Sequence, residues 1–151
     1  MTSRKIIAVD LDGVLGSHLT ALFRFIKPIR GSREAIEELK KDYNLIVVTA
    51  RYPLFKRSSI KWIKHHFPDC FSSIEFVRYK TPFGPRTSKA EICKRINAGC
   101  IIDDKLKNVE DCSKAGIKVY FFGPDKLYID NIQSRNVVCV EDWMEVLNKL
   151  T

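Results

Sequence analysis

The sequence of 151 residues has no apolar run approaching the roughly 20 residues a membrane span requires. No membrane association is therefore expected. The opening stretch MTSRKIIAVD turns acidic after a short apolar run, so it does not read as a signal peptide, and a cytoplasmic location is expected. The five cysteines, Cys70, Cys93, Cys100, Cys112 and Cys139, are odd in number, widely spaced and without a CxxC pair. That pattern argues against a zinc site or a disulfide framework and for reduced thiols, most of them small core residues. The chain contains no GxxxxGK[ST], which excludes a P-loop NTPase. It shows no internal repeat, low-complexity segment or linker. Acidic residues are in deficit: 18 Asp and Glu against 26 Lys and Arg leave a net charge of +8. Such a balance favours anionic partners, the plain alternative being a solvated basic surface.

What is present is a regular alternation. An apolar fraction of 45% is enough for one core, and residues 1–151 read as a single domain. Strands are expected at Lys5–Val9, Leu45–Thr49, Ile74–Val77, Cys100–Ile102, Ile117–Phe122 and Val137–Val140. The near-continuous apolar runs Ile6–Val9 and Leu45–Val48 suit strands covered on both faces, as in a parallel sheet. Between them lie helical patterns. Ser32 precedes REAIEELKK, which has Glu34 in its first turn and lysines at its end. Ser88 and Glu91 have capping-box spacing for a helix from Lys89 to about Asn97. Val109–Ala115 is closed by Gly116, and the final EDWMEVLNKL puts Trp143, Val146, Leu147 and Leu150 on one stripe. The fold class is α/β, a doubly wound, Rossmann-like and mostly parallel sheet of five to six strands.

In such a sheet, ligands bind beyond the C-terminal ends of the strands. The chemistry-bearing residues fall there. Asp10 and Asp12 in DLDG follow the first strand, with alternate side chains facing one small volume. Two carboxylates so close require a cation, a shared proton or screening by water. An EF-hand loop is excluded, because its twelfth position, counted from Asp10, is Ala21 rather than Glu. Thr49 ends the second strand, Asp103 and Asp104 end the fourth, and Lys89 opens the helix before it. Singly, each has an ordinary structural explanation as a cap or a solvated side chain. Together they supply oxygen ligands for a hard cation such as Mg²⁺ and a grip for an anion, which is what phosphoryl transfer needs.

The segments DLDGV (Asp10–Val14), VVTAR (Val47–Arg51), Lys89 in TSKAEIC and IIDD (Ile101–Asp104) resemble, in order and spacing, the four motifs of the haloacid dehalogenase superfamily. The resemblance implies a phosphatase in which Asp10 is the nucleophile, forming an aspartyl-phosphate, and Asp12 the general acid and base. Thr49, Ala50 and Lys89 would bind the phosphoryl group. Mg²⁺ would be held by Asp10, the backbone carbonyl of Asp12 and a carboxylate of the Asp103–Asp104 pair, Asp104 by preference, with Asp103 orienting the site.

Gly13 to Ser32 leaves too little chain for a cap domain, and Tyr52 to Ser88 is filled by one helix around SSIKWIKHHF and one strand at SIEFV, so an open site is expected. An open site suits a large substrate, or a lid supplied by a partner subunit in an oligomer. Basic residues crowd its expected rim: Arg24, Lys27 and Arg30, then Arg51, Lys56 and Arg57, then Arg78, Lys80 and Arg86. Phe23, Phe25, Tyr52 and Phe83 lie among them as candidates for base stacking, the alternative for Phe23 and Phe25 being the core. His65 and His66 are expected on the surface. The motifs are similar to those of deoxyribonucleotidases and polynucleotide 3′-phosphatases, which implies a nucleotide or a nucleic-acid end as the phosphorylated substrate. Sugar phosphates or phosphoproteins are the alternative substrates. A response-regulator receiver is disfavoured because Arg78, not Asp, follows the third strand. A non-catalytic module is disfavoured because no member of the acid–lysine set is missing.

Overall fold

The computed structural model describes residues 4–18, 26–123 and 136–151. Phe23, Arg24 and Phe25 lie outside them. Along the chain run β1 (Ile6–Val9), α1 (Ser32–Leu39), β2 (Asn44–Thr49), α2 (Lys56–His66) and β3 (Ser73–Phe76). They are followed by α3 (Lys89–Arg95), β4 (Ala98–Asp103), α4 (Leu106–Lys114), β5 (Lys118–Phe122), β6 (Val137–Val140) and α5 (Trp143–Leu150). The six strands form one sheet in the order β3-β2-β1-β4-β5-β6, and every neighbouring pair is parallel. The order reverses between β1 and β4, and that switch point lies under the site.

Two cores explain why the strands are apolar on both faces. Alternate residues Ile7 and Val9 pack with Ile36, Leu39, Trp62 and Trp143 on one side. Ala8, Ile46, Val48 and Ile101 pack with Ile92, Val109 and Cys112 on the other. The expected Trp143 and Val146 stripe is buried in the first core, with Leu147 and Leu150 packed against it. Four of the five cysteines are buried and all five are free thiols. Two indoles fasten the segment after β1: Trp143 Nε1 donates to the Val14 carbonyl at 2.8 Å, and Trp62 Nε1 to that of Ile26 at 2.9 Å.

Helix ends differ from expectation in α1, α3, α4 and α5, the last starting at Trp143 rather than Glu141. Helix α1 begins at Ser32 itself, after Gly31 in the left-handed region, and ends at Leu39, so Lys40 and Lys41 lie beyond its last turn. Helix α4 runs from Leu106 to Lys114 rather than from Val109 to Ala115; its N-cap, Lys105, makes no side-chain capping hydrogen bond, so no cap residue marks its start. Helix α3 stops at Arg95 rather than Asn97, which instead takes a positive φ of 56°. Its capping box is formed: Ser88 Oγ accepts from the Glu91 amide at 3.1 Å, and Glu91 Oε2 from the Ser88 amide at 2.5 Å.

Candidate active site

Four elements bring the predicted residues together. Strand β1 runs straight into Asp10, whose amide donates to the Ile102 carbonyl of β4 at 3.0 Å and so continues the ladder. Asp10 is buried, as are Thr49, Lys89 and Asp103. The capping box that starts α3 sets Lys89 into the first turn, where its Nζ lies 2.6 Å from Asp10 Oδ1 and 2.7 Å from Asp103 Oδ2. The Leu11 amide also donates to Asp10 Oδ1, at 2.8 Å. Two donors on one oxygen fix the rotation of this carboxylate.

Asp103 is saturated. Its Oδ1 accepts from the Lys105 amide at 2.9 Å and from Asn108 Nδ2 at 3.1 Å, and its Oδ2 accepts from Lys89 and, at 3.2 Å, from Asn108. Asp104 is different. His18 Nε2 lies 2.9 Å from its Oδ2, while its Oδ1 is buried and has no hydrogen-bond partner among the described residues. A buried carboxylate oxygen without a partner is costly and marks a place for a missing group. One oxygen each from Asp10, Asp103 and Asp104 lie within 4.8 Å of one another. An all-oxygen donor set of this kind fits Mg²⁺. Asp103 already accepts four hydrogen bonds, from Lys89, Lys105 and Asn108, so Asp10 and Asp104 have more oxygen capacity left for such a cation. Gly13 makes this close approach possible: its φ is +81°, and a Cβ there would stand 2.0 Å from Asp104 Oδ2.

Electrostatics follow from the packing. Burial drives the Asp10 pKa well above its ordinary value; Lys89 pulls it down, and Asp103 and Asp104 push it back up. Burial and the Asp103 charge likewise raise the pKa of Asp104, against the pull of His18. For Lys89, burial disfavours the ammonium, but Asp10 and Asp103 together outweigh it and hold the pKa above the usual range.

Asp12 faces elsewhere. Arg51 grips it with a fork, Nε to Oδ2 at 2.9 Å and Nη2 to Oδ1 at 2.5 Å. Arg51 was expected on the exposed rim; it is buried and paired inside the site. Residues i and i+2 of an extended run share a side, so Thr49 and Arg51 both point inward. The Arg51 amide donates to Thr49 Oγ1 at 3.3 Å. The Ala50 carbonyl accepts from the Tyr79 hydroxyl, tying the segment after β2 to the segment after β3.

The other described rim residues are exposed: Lys27, Arg30, Lys56, Arg57, Arg78, Lys80 and Arg86, with Tyr52 at 61% and Phe83 at 99%. His65 is exposed and His66 half-buried, its Nδ1 at 2.6 Å from Arg33 Nη2. Sequence reasoning missed Asn108, His18 and Tyr79. Only Asn108 carried a usable signal, as an amide in the helical turn after an acidic strand end. A cleft of about 450 Å³ adjoins Asp104, lined by Gly13, His18, Ile29, Phe121 and Glu141 among others. No helix among the described residues is long and apolar enough to cross a membrane.

No family model matches the chain. It is 29% identical over 134 residues to curated proteins named 5′(3′)-deoxyribonucleotidase from Bacillus subtilis (strain 168) and Bacillus phage SPbeta. The match covers 85% of this chain but only 65% of the length of those relatives. Among solved structures, a haloacid dehalogenase-like hydrolase from Streptococcus pneumoniae superposes with a TM-score of 0.72 at 16% identity, covering 100% of both chains. A putative beta-phosphoglucomutase from Thermotoga maritima gives 0.70 at 16% identity, over 97% of this chain and 98% of that one. With the strand order and the four motifs at the strand ends, these likenesses show that the chain has the haloacid dehalogenase-like fold, without a separate cap domain among its described residues.

Proposed function

We propose that the protein is a Mg²⁺-dependent phosphomonoester hydrolase that works through an aspartyl-phosphate on Asp10. The observation that carries this reading is the buried Asp10–Lys89–Asp103 cluster with the unpartnered oxygen of Asp104 beside it. Bound between Asp10 and Asp104, Mg²⁺ would neutralise charge on the phosphoryl group and position it. Asp10, its rotation fixed by Lys89 and the Leu11 amide, attacks phosphorus as the bond to the ester oxygen breaks. Asp12 gives its proton to that oxygen, then takes one from the water that attacks the aspartyl-phosphate, releasing inorganic phosphate and restoring both carboxyl groups. Lys89 and the Thr49 hydroxyl stabilise the equatorial phosphoryl oxygens. Because Arg51 grips both oxygens of Asp12, at least one must be released before Asp12 can reach substrate.

A nucleotide-type substrate, a mononucleotide or a nucleic-acid end such as a 3′-phosphate, is favoured over sugar phosphates. The relatives named as deoxyribonucleotidases and the basic rim both support it. A soluble cytoplasmic protein acting as a single domain accords with this reading. The test is a phosphatase screen over nucleotides, 3′-phosphorylated oligonucleotides, sugar phosphates and phosphopeptides, with Mg²⁺ or EDTA. Hydrolysis unaffected by EDTA removes the metal from the mechanism. Aluminium fluoride found on a residue other than Asp10 removes the nucleophile.

A further inference from the structure

The wall of the site that leads from Arg51 outward carries a set of side chains that the chemistry of the floor does not use. The Tyr52 and Tyr79 rings are stacked, with centroids 4.4 Å apart and planes at 9°. The Arg86 guanidinium lies 5.1 Å from the Tyr79 ring centroid. With one face of Tyr52 resting on Tyr79, its 61% exposure leaves the other face to solvent. Phe83 sits at the tip of a turn closed by the Thr81–Gly84 bridge and is 99% exposed.

The segments that carry them hold cations and no acid, although Glu75 and Glu91 line the cleft that Lys56 and Arg78 share. No acidic residue occurs between Tyr43 and Pro68, or between Val77 and Ala90, the stretches that supply this wall. Lys56, Arg57, Arg78, Lys80 and Arg86 are all exposed. Aromatic faces interleaved with cations are the combination that grips single-stranded nucleic acid, the rings stacking on bases and the cations following the backbone. Protein interfaces share its aromatic rings and arginines, but they are depleted of lysine, which this surface carries at Lys56 and Lys80. The spread of cations from Lys56 to Arg86 also exceeds what a single phosphate needs. The stack is held ready, because the Tyr79 hydroxyl donates to the Ala50 carbonyl beside Thr49.

We infer that Tyr52, stacked on Tyr79, together with Phe83 and Arg86 forms a landing surface for single-stranded nucleic acid that presents a terminal phosphate to Asp10. The inference rests on the phosphohydrolase reading for the fate of that phosphate, but binding by the surface is measured independently of it. The experiment is fluorescence anisotropy with a labelled single-stranded oligodeoxynucleotide carrying hydroxyl ends, in EDTA, alongside the same sequence as a duplex. The single strand should bind more tightly than the duplex. Tyr52→Ala and Phe83→Ala should each weaken binding about tenfold, the loss of one stacked base. Phe83→Trp should restore it, and p-nitrophenyl phosphate hydrolysis should be unchanged in all three. Because Phe83 is fully exposed, its variants test the surface without endangering the fold. Unchanged oligonucleotide affinity in both alanine variants overturns the inference, as does a preference for duplex. Sedimentation showing that the wild type self-associates, with the association abolished in Phe83→Ala, would assign the surface to a second copy and also overturn it. Normal stacking-dependent binding with no phosphatase activity would leave the surface standing and remove the enzymatic reading instead.

Discussion

The floor of the site and its rim are built on opposite principles. At the floor, Asp10, Lys89 and Asp103 are buried, and each oxygen of Asp103 has two donors. At the rim, Tyr52, Phe83, Arg57 and Arg86 stand in water, joined to the floor mainly through Arg51 and the Tyr79–Ala50 hydrogen bond. Charge at the floor is net negative, one lysine against the carboxylates of Asp10, Asp103 and Asp104, and is held in low dielectric, where removing one partner is expensive. Charge at the rim is mostly positive, exposed and screened, where removing one partner costs little. On the proposed reading, the reaction belongs to the floor and the choice of substrate to the rim.

The sharpest division should come from Asp10→Asn, which removes the attacking charge while keeping the shape. Phosphatase turnover should vanish, whereas oligonucleotide binding in EDTA should not change. A retained rate with any phosphomonoester would break the assignment of chemistry to the floor. Next in size is Lys89→Met, which leaves Asp10 and Asp103 facing each other without a cation. A loss of about 3–5 kcal/mol is expected for an orphaned buried charge. At about 2–4 °C per kcal/mol, thermal melting should fall by roughly 10 °C. Phe83→Ser at the rim should leave the melting temperature in place, and a comparable fall there would erase the contrast.

A smaller effect concerns pH and metal. Asp10 and Asp104 have folded pKa values raised above the usual 3.8, first by burial. The folded state therefore holds protons that the unfolded chain has released, and its stability in EDTA should decline as pH rises from about 4 toward neutrality. Lys89 acts oppositely, its raised pKa contributing stability that persists until strongly alkaline pH. Mg²⁺ should raise the melting temperature most at neutral pH, and Asp104→Asn should remove most of that gain. Calorimetry across pH, with and without Mg²⁺, checks both statements; a metal-independent profile would contradict them. Smallest is the double change Lys56→Glu with Arg57→Glu. It should weaken oligonucleotide binding and flatten its salt dependence by about 0.7 for each phosphate that is no longer neutralised. Hydrolysis of p-nitrophenyl phosphate should be spared.

The sequence was most legible where one local rule decides the outcome. The β6 span Val137–Val140 and the Ser88–Glu91 capping box were expected as they stand, because an apolar run and a fixed spacing are both short-range signals. The start of α4 was not legible, since an N-cap lysine without a capping hydrogen bond gives no such signal. The site residues could be grouped because they fall at strand ends, but their partners could not. Arg51 was placed on the rim from its charge, although its two-residue spacing from Thr49 already pointed inward. The Asp104–His18 and Tyr79–Ala50 pairs join segments distant in sequence, and no local pattern encodes them.

The pairing of β1 with β4 has a kinetic consequence. These neighbours in the sheet are far apart in the chain, and the β2 and β3 segments and three helices intervene between them. Closing so long a loop is entropically slow and comes after local structure has formed. Asp10 and Asp103 meet only once that closure is made, so the unfolded chain contains no embryonic form of the cluster. Mg²⁺ should accordingly leave the refolding rate nearly unaltered and lengthen the lifetime of the folded state, acting on escape rather than on arrival.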